Sequence, residues 1–108
     1  HSYNYKIHQL EQLLEQHYKT EKSPSFYADN MNITLKHLNR ICNGILNQTV
    51  TEIITNRIIL ETKRLLINPT KSVNQIADEL GFDDYSYFTR LFKKKTGITT
   101  SEFRKTLN

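Results

Sequence analysis

The sequence predicts an all-α protein that contains two helix-turn-helix motifs joined by one long helix. The 108 residues include only three Gly and two Pro, which leaves little room for long loops. Apolar residues recur at helical spacing along most of the chain. The segment from Ser25 to Ile53 also has a counterpart about 50 residues further on, which is an internal repeat. At this length we expect one compact domain or two very small ones.

The best-defined motif runs from Val73 to Gly97. Helical spacing of apolar residues stops at Gly81 and resumes at Phe88, so two short helices flank a turn. Ala77 stands four residues before Gly81, and its small side chain lets the second helix cross the first. Gly81 supplies the positive φ that the turn needs. The segment therefore predicts a helix-turn-helix.

The second helix of this motif, predicted at about 84–96, has a polar and basic outer face. Asp84 is placed to cap its start. Ser86 and Arg90 point away from the apolar side, with Thr89 beside them. The lysines at 93–95 crowd the C-terminal end, where the helix dipole favours cations. They serve either as a solvated helix end or as contacts to phosphate.

A weaker copy of the motif precedes it. Ala28 stands four residues before Asn32. After glycine, asparagine is the residue that best tolerates a left-handed turn position. Thr34 begins a helix predicted at about 34–46. Arg40 on this helix and Arg90 on the later one occupy equivalent outward positions, and core packing does not explain a repeated outward arginine. Each arginine therefore either contacts a binding partner or is simply solvated or salt-bridged.

The remaining segments supply the support helices. An apolar stripe from Ile7 to Tyr18 predicts a first helix, and Pro24 marks the start of the next one. After the first motif, an apolar run that includes Leu60 predicts a helix at 51–68, a rod of about 27 Å at 1.5 Å per residue. Such a rod suits a linker that holds two motifs at a fixed separation. We therefore divide the chain into a first subdomain (1–50), this linker helix and a second subdomain (69–108), whose last short helix is predicted at 100–107.

Charge and composition narrow the function classes. The net charge of +4 is compatible with a nucleic-acid partner. The whole positive excess lies in the second half of the chain. There are five basic and five acidic residues through Asn56, but ten basic and six acidic residues from Arg57 onward. The only cysteine, Cys42, excludes an internal disulfide and falls on the apolar side of its helix, which predicts a buried core residue. No apolar run reaches the length of about 20 residues that a membrane span needs, and no signal-peptide pattern opens the chain.

Catalytic and metal-binding patterns are missing from the sequence. It contains no nucleophile with an adjacent base, no carboxylate pair and no phosphate-binding glycine loop. His8, His17 and His37 do not share one face at ligand spacing. We therefore expect no catalytic residue, no metal site and no cofactor, and the chain is not predicted to be an enzyme.

The segment from Ser72 to Arg104 resembles the signature of the AraC/XylS family of bacterial transcription regulators, through the strings SVNQIA, GFDDYSYFTRLFKK, GIT and EFR. The resemblance extends over nearly the whole chain. It implies about seven helices and a single polypeptide that binds double-stranded DNA with both recognition helices in successive major-groove segments. The chain departs from the family at three positions: it has Asn47 where glycine is usual, Thr100 where proline is usual and Cys42 where an aromatic residue is usual. These departures weaken the similarity of the packing in the first subdomain and do not affect the outward residues.

The resemblance also implies which residues meet DNA. Arginine can place two hydrogen bonds on guanine, and asparagine can do the same on adenine. The implied base-reading residues lie on the two recognition helices: Lys36, Asn39 and Arg40 on the first and Tyr85, Ser86, Thr89 and Arg90 on the second. The implied phosphate contacts flank them: Thr34, His37, Tyr87, Lys93 and Lys94. For Tyr85, packing or a phosphate contact is an alternative to base contact, and for His37 simple exposure is the alternative.

The family also suggests partners beyond this chain. It implies double-stranded DNA, RNA polymerase and an N-terminal sensor or dimerisation domain, in a cytoplasmic, nucleoid-associated protein, and no membrane contact by this segment. It favours an activator, although the residues themselves leave the sign of regulation open. A helical protein-interaction domain that has lost DNA binding is a competing class, and the outward Lys36, Arg40 and Arg90 argue against it.

Overall fold

The computed structural model describes residues 2–107, and over that range it contains seven α-helices and no strand. The helices, in chain order, are α1 (Ser2–His17), α2 (Pro24–Asn30), α3 (Leu35–Leu46), α4 (Val50–Leu66), α5 (Val73–Glu79), α6 (Tyr85–Thr96) and α7 (Thr100–Lys105). The predicted all-α class with about seven helices is confirmed. Within the described range, no helix combines the length and the apolar character that crossing a membrane requires.

The chain forms two compact units, His1–Arg57 and Ile58–Asn108, and the division falls inside α4. In the first unit, α1, α2 and α3 bury one shared core. Its buried side chains are apolar or aromatic: Ile7, Leu10, Leu14, Tyr18, Tyr27, Ala28, Met31, Leu38, Ile41, Cys42, Val50 and Ile54. The Arg57 guanidinium lies 4.3 Å from the centre of the Tyr18 ring and donates a hydrogen bond to Glu15, so the first half of α4 is tied to α1 and the residue after it.

The turn residues take the conformations that the sequence predicts. Asn32, between α2 and α3, has a φ of 58°, and Gly81, its counterpart between α5 and α6, has a φ of 80°. Asn47, where the family usually has glycine, ends α3 in the left-handed region with a φ of 55°, as Gly97 ends α6 with a φ of 84°. Asparagine tolerates this region better than most residues, so both motifs keep their turns.

Side-chain caps fix the starts of most helices. Thr34 accepts a hydrogen bond from the His37 N–H at 3.0 Å, and Asp84 accepts one from the Tyr87 N–H at 3.0 Å. A capping box, in which the cap residue and the third helical residue bond each other's N–H groups, opens α4, α5 and α7. Ser23 occupies the cap position before Pro24, but its side chain makes no cap hydrogen bond. There the proline itself provides the helical φ.

The second unit packs around the phenylalanines of α6 and the turn before it. Its buried apolar side chains come from four segments: Ile58, Ile59, Leu65 and Leu66 of α4, Ile76, Ala77 and Leu80 of α5 and its end, Phe82 of the turn, and Phe88 and Phe92 of α6. Leu60, one of the apolar residues of the predicted linker helix, is instead 63% exposed. The two residues that follow it are buried although they are polar: Glu61 accepts hydrogen bonds from Arg64, and the Thr62 hydroxyl donates to the Ile58 carbonyl at 2.8 Å.

Arg104 on α7 joins the end of α4 to the loop that follows. Its Nε donates to the carbonyl of Leu66 at 3.1 Å, and its Nη2 donates to the carbonyls of Asn68 at 3.1 Å and Lys71 at 2.7 Å. The last carbonyls of a helix lack partners inside it. One guanidinium therefore supplies donors at the point where the chain leaves α4.

Candidate nucleic-acid interface

The two predicted recognition helices, α3 and α6, each have one buried face and one exposed polar face. On α3 the buried residues are Leu38, Ile41 and Cys42, and on α6 they are Phe88 and Phe92. The opposite sides expose Lys36 and Arg40 on α3 and Ser86 and Arg90 on α6. Because the helices anchor themselves through their apolar sides, each presents a basic surface within its own unit.

Arg40 on α3 makes one contact on its own helix. Its Nη1 lies 3.3 Å from Nδ1 of His37, one turn earlier, and this contact is a hydrogen bond when the ring nitrogen is the acceptor. The Tyr3 ring meets the His37 ring edge-on, with 6.0 Å between the centres. These contacts orient His37 and Arg40 together. Lys36 makes no hydrogen bond or ion pair with any residue that the structure describes.

Asn39 lies between these exposed residues in sequence but is engaged in the fold. Its Oδ1 accepts a hydrogen bond from the backbone N–H of Val50 at 2.9 Å, at the start of α4. Recognition of adenine by asparagine uses both the oxygen and the amide nitrogen of the side chain. In the structure the oxygen is directed at the Val50 amide, and the sequence contains no local signal of this partner.

Two predicted base-reading residues of α6 also make contacts inside the second unit. The Tyr85 hydroxyl donates to Asp78 on α5 at 2.7 Å, and this hydrogen bond is the main cause of the raised pKa of Tyr85. The Thr89 hydroxyl donates a shared hydrogen bond to two carbonyls of its own helix, that of Ser86 at 3.1 Å and that of Tyr85 at 3.2 Å. The hydroxyl of Thr89 is thus committed to its own helix, and the methyl group remains for contact with a partner.

The side chains of Ser86 and Arg90 have no partner among the residues that the structure describes, and both are exposed. They are therefore available to a ligand that approaches α6. Asp78 was not predicted as a site residue, because its role depends on Tyr85 seven residues later and on the turn between them.

The predicted phosphate contacts lie at the two ends of the recognition helices. Thr34 caps α3 and accepts a backbone hydrogen bond, which leaves its own proton free to be donated. Tyr87 is half-exposed at the start of α6, with its ring centre 6.2 Å from that of Phe82. Lys93 and Lys94 are exposed on the last turn of α6, together with Lys95.

The capping box of α7 lowers the pKa of its own glutamate. The pKa of Glu102 is lowered, first by the hydrogen bond from the Thr99 backbone, then by the bond with the Thr99 side chain, and to a smaller extent by the charges of Lys93 and Lys105. The carboxylate is thus held in its ionised form.

The buried cysteine has no role at this surface. Cys42 is fully buried, as predicted, and burial raises its pKa to about 11. A thiol in this state is not a nucleophile at neutral pH. Among residues 2–107, no group of three His, Cys, Asp or Glu side chains lies close enough together to hold a metal ion.

Comparison with known proteins identifies relatives of the whole chain. A family model described as "Helix-turn-helix domain" matches residues 27–106. The HTH-type transcriptional regulator ExsA of Pseudomonas aeruginosa is 28% identical over 102 residues, which cover 94% of this chain and 37% of ExsA. The chain spans about a third of the length of the curated relatives it matches.

Two solved structures share the fold. The C-terminal domain of AraT, a response regulator from Geobacillus stearothermophilus, superimposes with a TM-score of 0.86 at 22% identity, covering 94% of this chain and 84% of that domain. A transcriptional regulator from Chromobacterium violaceum, of the AraC-type DNA-binding domain-containing proteins, gives a TM-score of 0.83 at 20% identity, covering 94% of this chain and 91% of that one.

Proposed function

Because the chain belongs to the AraC-type helix-turn-helix family and is a DNA-binding domain of transcription regulation, we propose that α3 and α6 are its two recognition helices and enter successive segments of the major groove. One observation carries the proposal. Arg40 and Arg90 occupy equivalent positions in the repeat, and both are exposed on the side of the helix opposite its buried face. A guanidinium so placed can donate two hydrogen bonds to one guanine.

The remaining contacts follow from exposure and hydrogen bonding. Lys36 and Ser86 are exposed at equivalent positions and would donate to base edges, while Thr89 would offer its methyl group to a thymine methyl. Tyr85 would use its ring rather than its hydroxyl, which is bonded to Asp78. Lys93 and Lys94, with Thr34, His37 and Tyr87, would bind phosphate and set the position of the helices on the duplex.

In this proposal the complete protein regulates transcription, and we expect it to be an activator. It would join this domain to an N-terminal sensor or dimerisation domain and would act in the cytoplasm, at the nucleoid, by contacting RNA polymerase. The support is that the chain spans about a third of the length of relatives such as the regulator ExsA.

Base contact by Arg90 is tested by comparing two substitutions on duplexes selected from a random pool. We expect Arg90→Ala to cost about 1–3 kcal/mol on the selected site and to relax base preference at one position. Arg90→Lys keeps the charge but loses the planar fork that binds guanine, so it should also relax that position. If Arg90→Lys behaves as wild type on every duplex, Arg90 contacts phosphate and not a base.

Phosphate contact by the end of α6 is tested by salt dependence. Lys94→Ala should weaken binding to all sequences equally and reduce the slope of log affinity against log salt by about 1. Lys19→Ala, which removes an exposed lysine outside both recognition helices, is the matched control. Equal slopes for the two variants would show that Lys94 is a solvated helix end.

A further inference from the structure

We propose that Asn39 is a positioning residue that fixes the recognition helix α3 against the start of α4, rather than a reader of bases. The proposal rests on the function proposed above, since it concerns how the exposed side chains of α3 are held toward DNA. It assigns a different role to a residue that family resemblance alone places among the base contacts.

The start of α4 needs an outside acceptor for one backbone amide. The first N–H groups of a helix have no acceptor within it. Here Thr49 and Glu52 form a capping box that uses the N–H groups of those same two residues. The N–H groups of Val50 and Thr51 are left over by the capping box. Thr51 is exposed to water, whereas Val50 is completely buried, which excludes water as its partner. The Asn39 oxygen accepts this N–H at 2.9 Å.

This hydrogen bond couples the orientation of α3 to the next helix. Only three residues, 47–49, separate α3 from α4. Asn39 precedes Arg40 directly and follows Lys36 by nearly one turn, so a rotation of α3 that moved Arg40 or Lys36 would also pull the Asn39 oxygen from the Val50 N–H. The bond therefore sets the direction in which the two exposed basic residues project.

The direction of the Asn39 side chain favours the positioning role over base contact. A bidentate pair with adenine needs the oxygen as acceptor and the amide as donor at the same base edge. The oxygen of Asn39 is directed at Val50, and the residue is partly buried. The counterpart in the second motif, Thr89, bonds only carbonyls of its own helix, so this link between consecutive helices belongs to the first motif.

The first experiment follows amide hydrogen exchange at Val50 by NMR in the free domain. Asn39→Ala should lower the protection of this amide at least tenfold relative to neighbouring residues of α4 and reduce Tm by roughly 4–8 °C. Asn39→Asp keeps an acceptor oxygen at the positive end of a helix and should retain the protection. Unchanged protection at Val50 in Asn39→Ala would overturn the proposal.

The second experiment selects preferred duplexes from a random pool with each variant. We expect Asn39→Ala to lower affinity about three- to tenfold on all selected sites, with the same preferred base at every position. Asn39→Asp should also keep that preference, whereas a base-reading residue changed to aspartate would lose adenine and favour cytosine. A change of preference at a single position in Asn39→Asp would therefore overturn the positioning role, even if Asn39→Ala does not fold.

Failure of the proposed function gives a different result. If the proposed function fails, the wild-type domain selects no sequence from the pool. If only the Asn39 proposal fails, wild type selects a preferred sequence, and the Asn39 variants change the preferred base at one position.

Discussion

Arg104 provides a quantitative test of how the second unit is held together. Its guanidinium donates to three backbone carbonyls, those of Leu66, Asn68 and Lys71, at 3.1, 3.1 and 2.7 Å. Hydrogen bonds to a charged group contribute about 1.5–3 kcal/mol each when they are shielded from water. The three bonds share one side chain and are not additive, and the exposed carbonyl of Asn68 regains water in the variant. We therefore expect Arg104→Ala to lower the free energy of unfolding by about 2–4 kcal/mol.

The assay is thermal and urea unfolding followed by circular dichroism at 222 nm. A loss of this size should lower Tm by roughly 10–20 °C in a domain of about 100 residues. Arg104→Lys keeps the charge but cannot span three carbonyls from one ammonium group, so it should recover less than half of the loss. Lys105→Ala, which truncates the exposed neighbour on α7, is the control and should stay within about 0.5 kcal/mol of wild type.

The result that would refute this reasoning is an Arg104→Ala variant with the Tm and urea midpoint of Lys105→Ala. The carbonyls at the end of α4 would then be satisfied equally well by water. Because Arg104 lies outside α3 and α6, the variant should keep the base preference of wild type at temperatures where it is folded. A changed preference would show that Arg104 acts on DNA recognition and not only on stability.

Three further outcomes are expected. Phe88→Ala should cost about 3–5 kcal/mol through a core cavity and abolish DNA binding by unfolding, which circular dichroism detects as lost helix content. Cys42, fully buried and with a pKa raised to about 11, should react with a disulfide reagent at pH 8 only as fast as the domain opens, and rapid labelling of folded protein would contradict its burial. The pKa of Glu102 is lowered by the capping box, so its contribution to stability is present above the unfolded value of 4.5 and is lost as the pH falls through the lower folded value. Wild type should therefore lose stability relative to Glu102→Gln on acidification, and equal acid profiles would exclude this linkage.

The sequence predicted the local structure well because its signals are local. Caps and turns depend on residues within one helical turn of each other, as at Asp84, and on positions with a positive φ, as at Asn47 and Gly97. The exposure of Arg40 and Arg90 followed from helical period, and their role in base contact stays a prediction. Leu60 departed from the pattern: it was assigned to the apolar run of the linker helix and is exposed, because the buried face of α4 passes through Thr62 instead.

The candidate site shows the limit of this approach. The family resemblance implied base contact for Asn39 and Tyr85, and this role stays a prediction for both residues. Neither the Val50 N–H that Asn39 binds nor the Asp78 carboxylate that Tyr85 binds lies on the same helix. A pattern of spacing within one helix carries no information about a hydrogen bond to another.

The amino-acid sequence alone determined that this chain is all-α, approximately where most of its helices begin and end, which faces are apolar, and that two motifs repeat with matched arginines. These properties follow from backbone preferences and periodicity over a few residues. Only the tertiary structure decided which polar side chains remain available to a partner. Arg104 bonds carbonyls 33–38 residues away, and Asn39 bonds an amide 11 residues away. Such bonds form because packing brings separate helices together and leaves a buried donor or acceptor that must be satisfied.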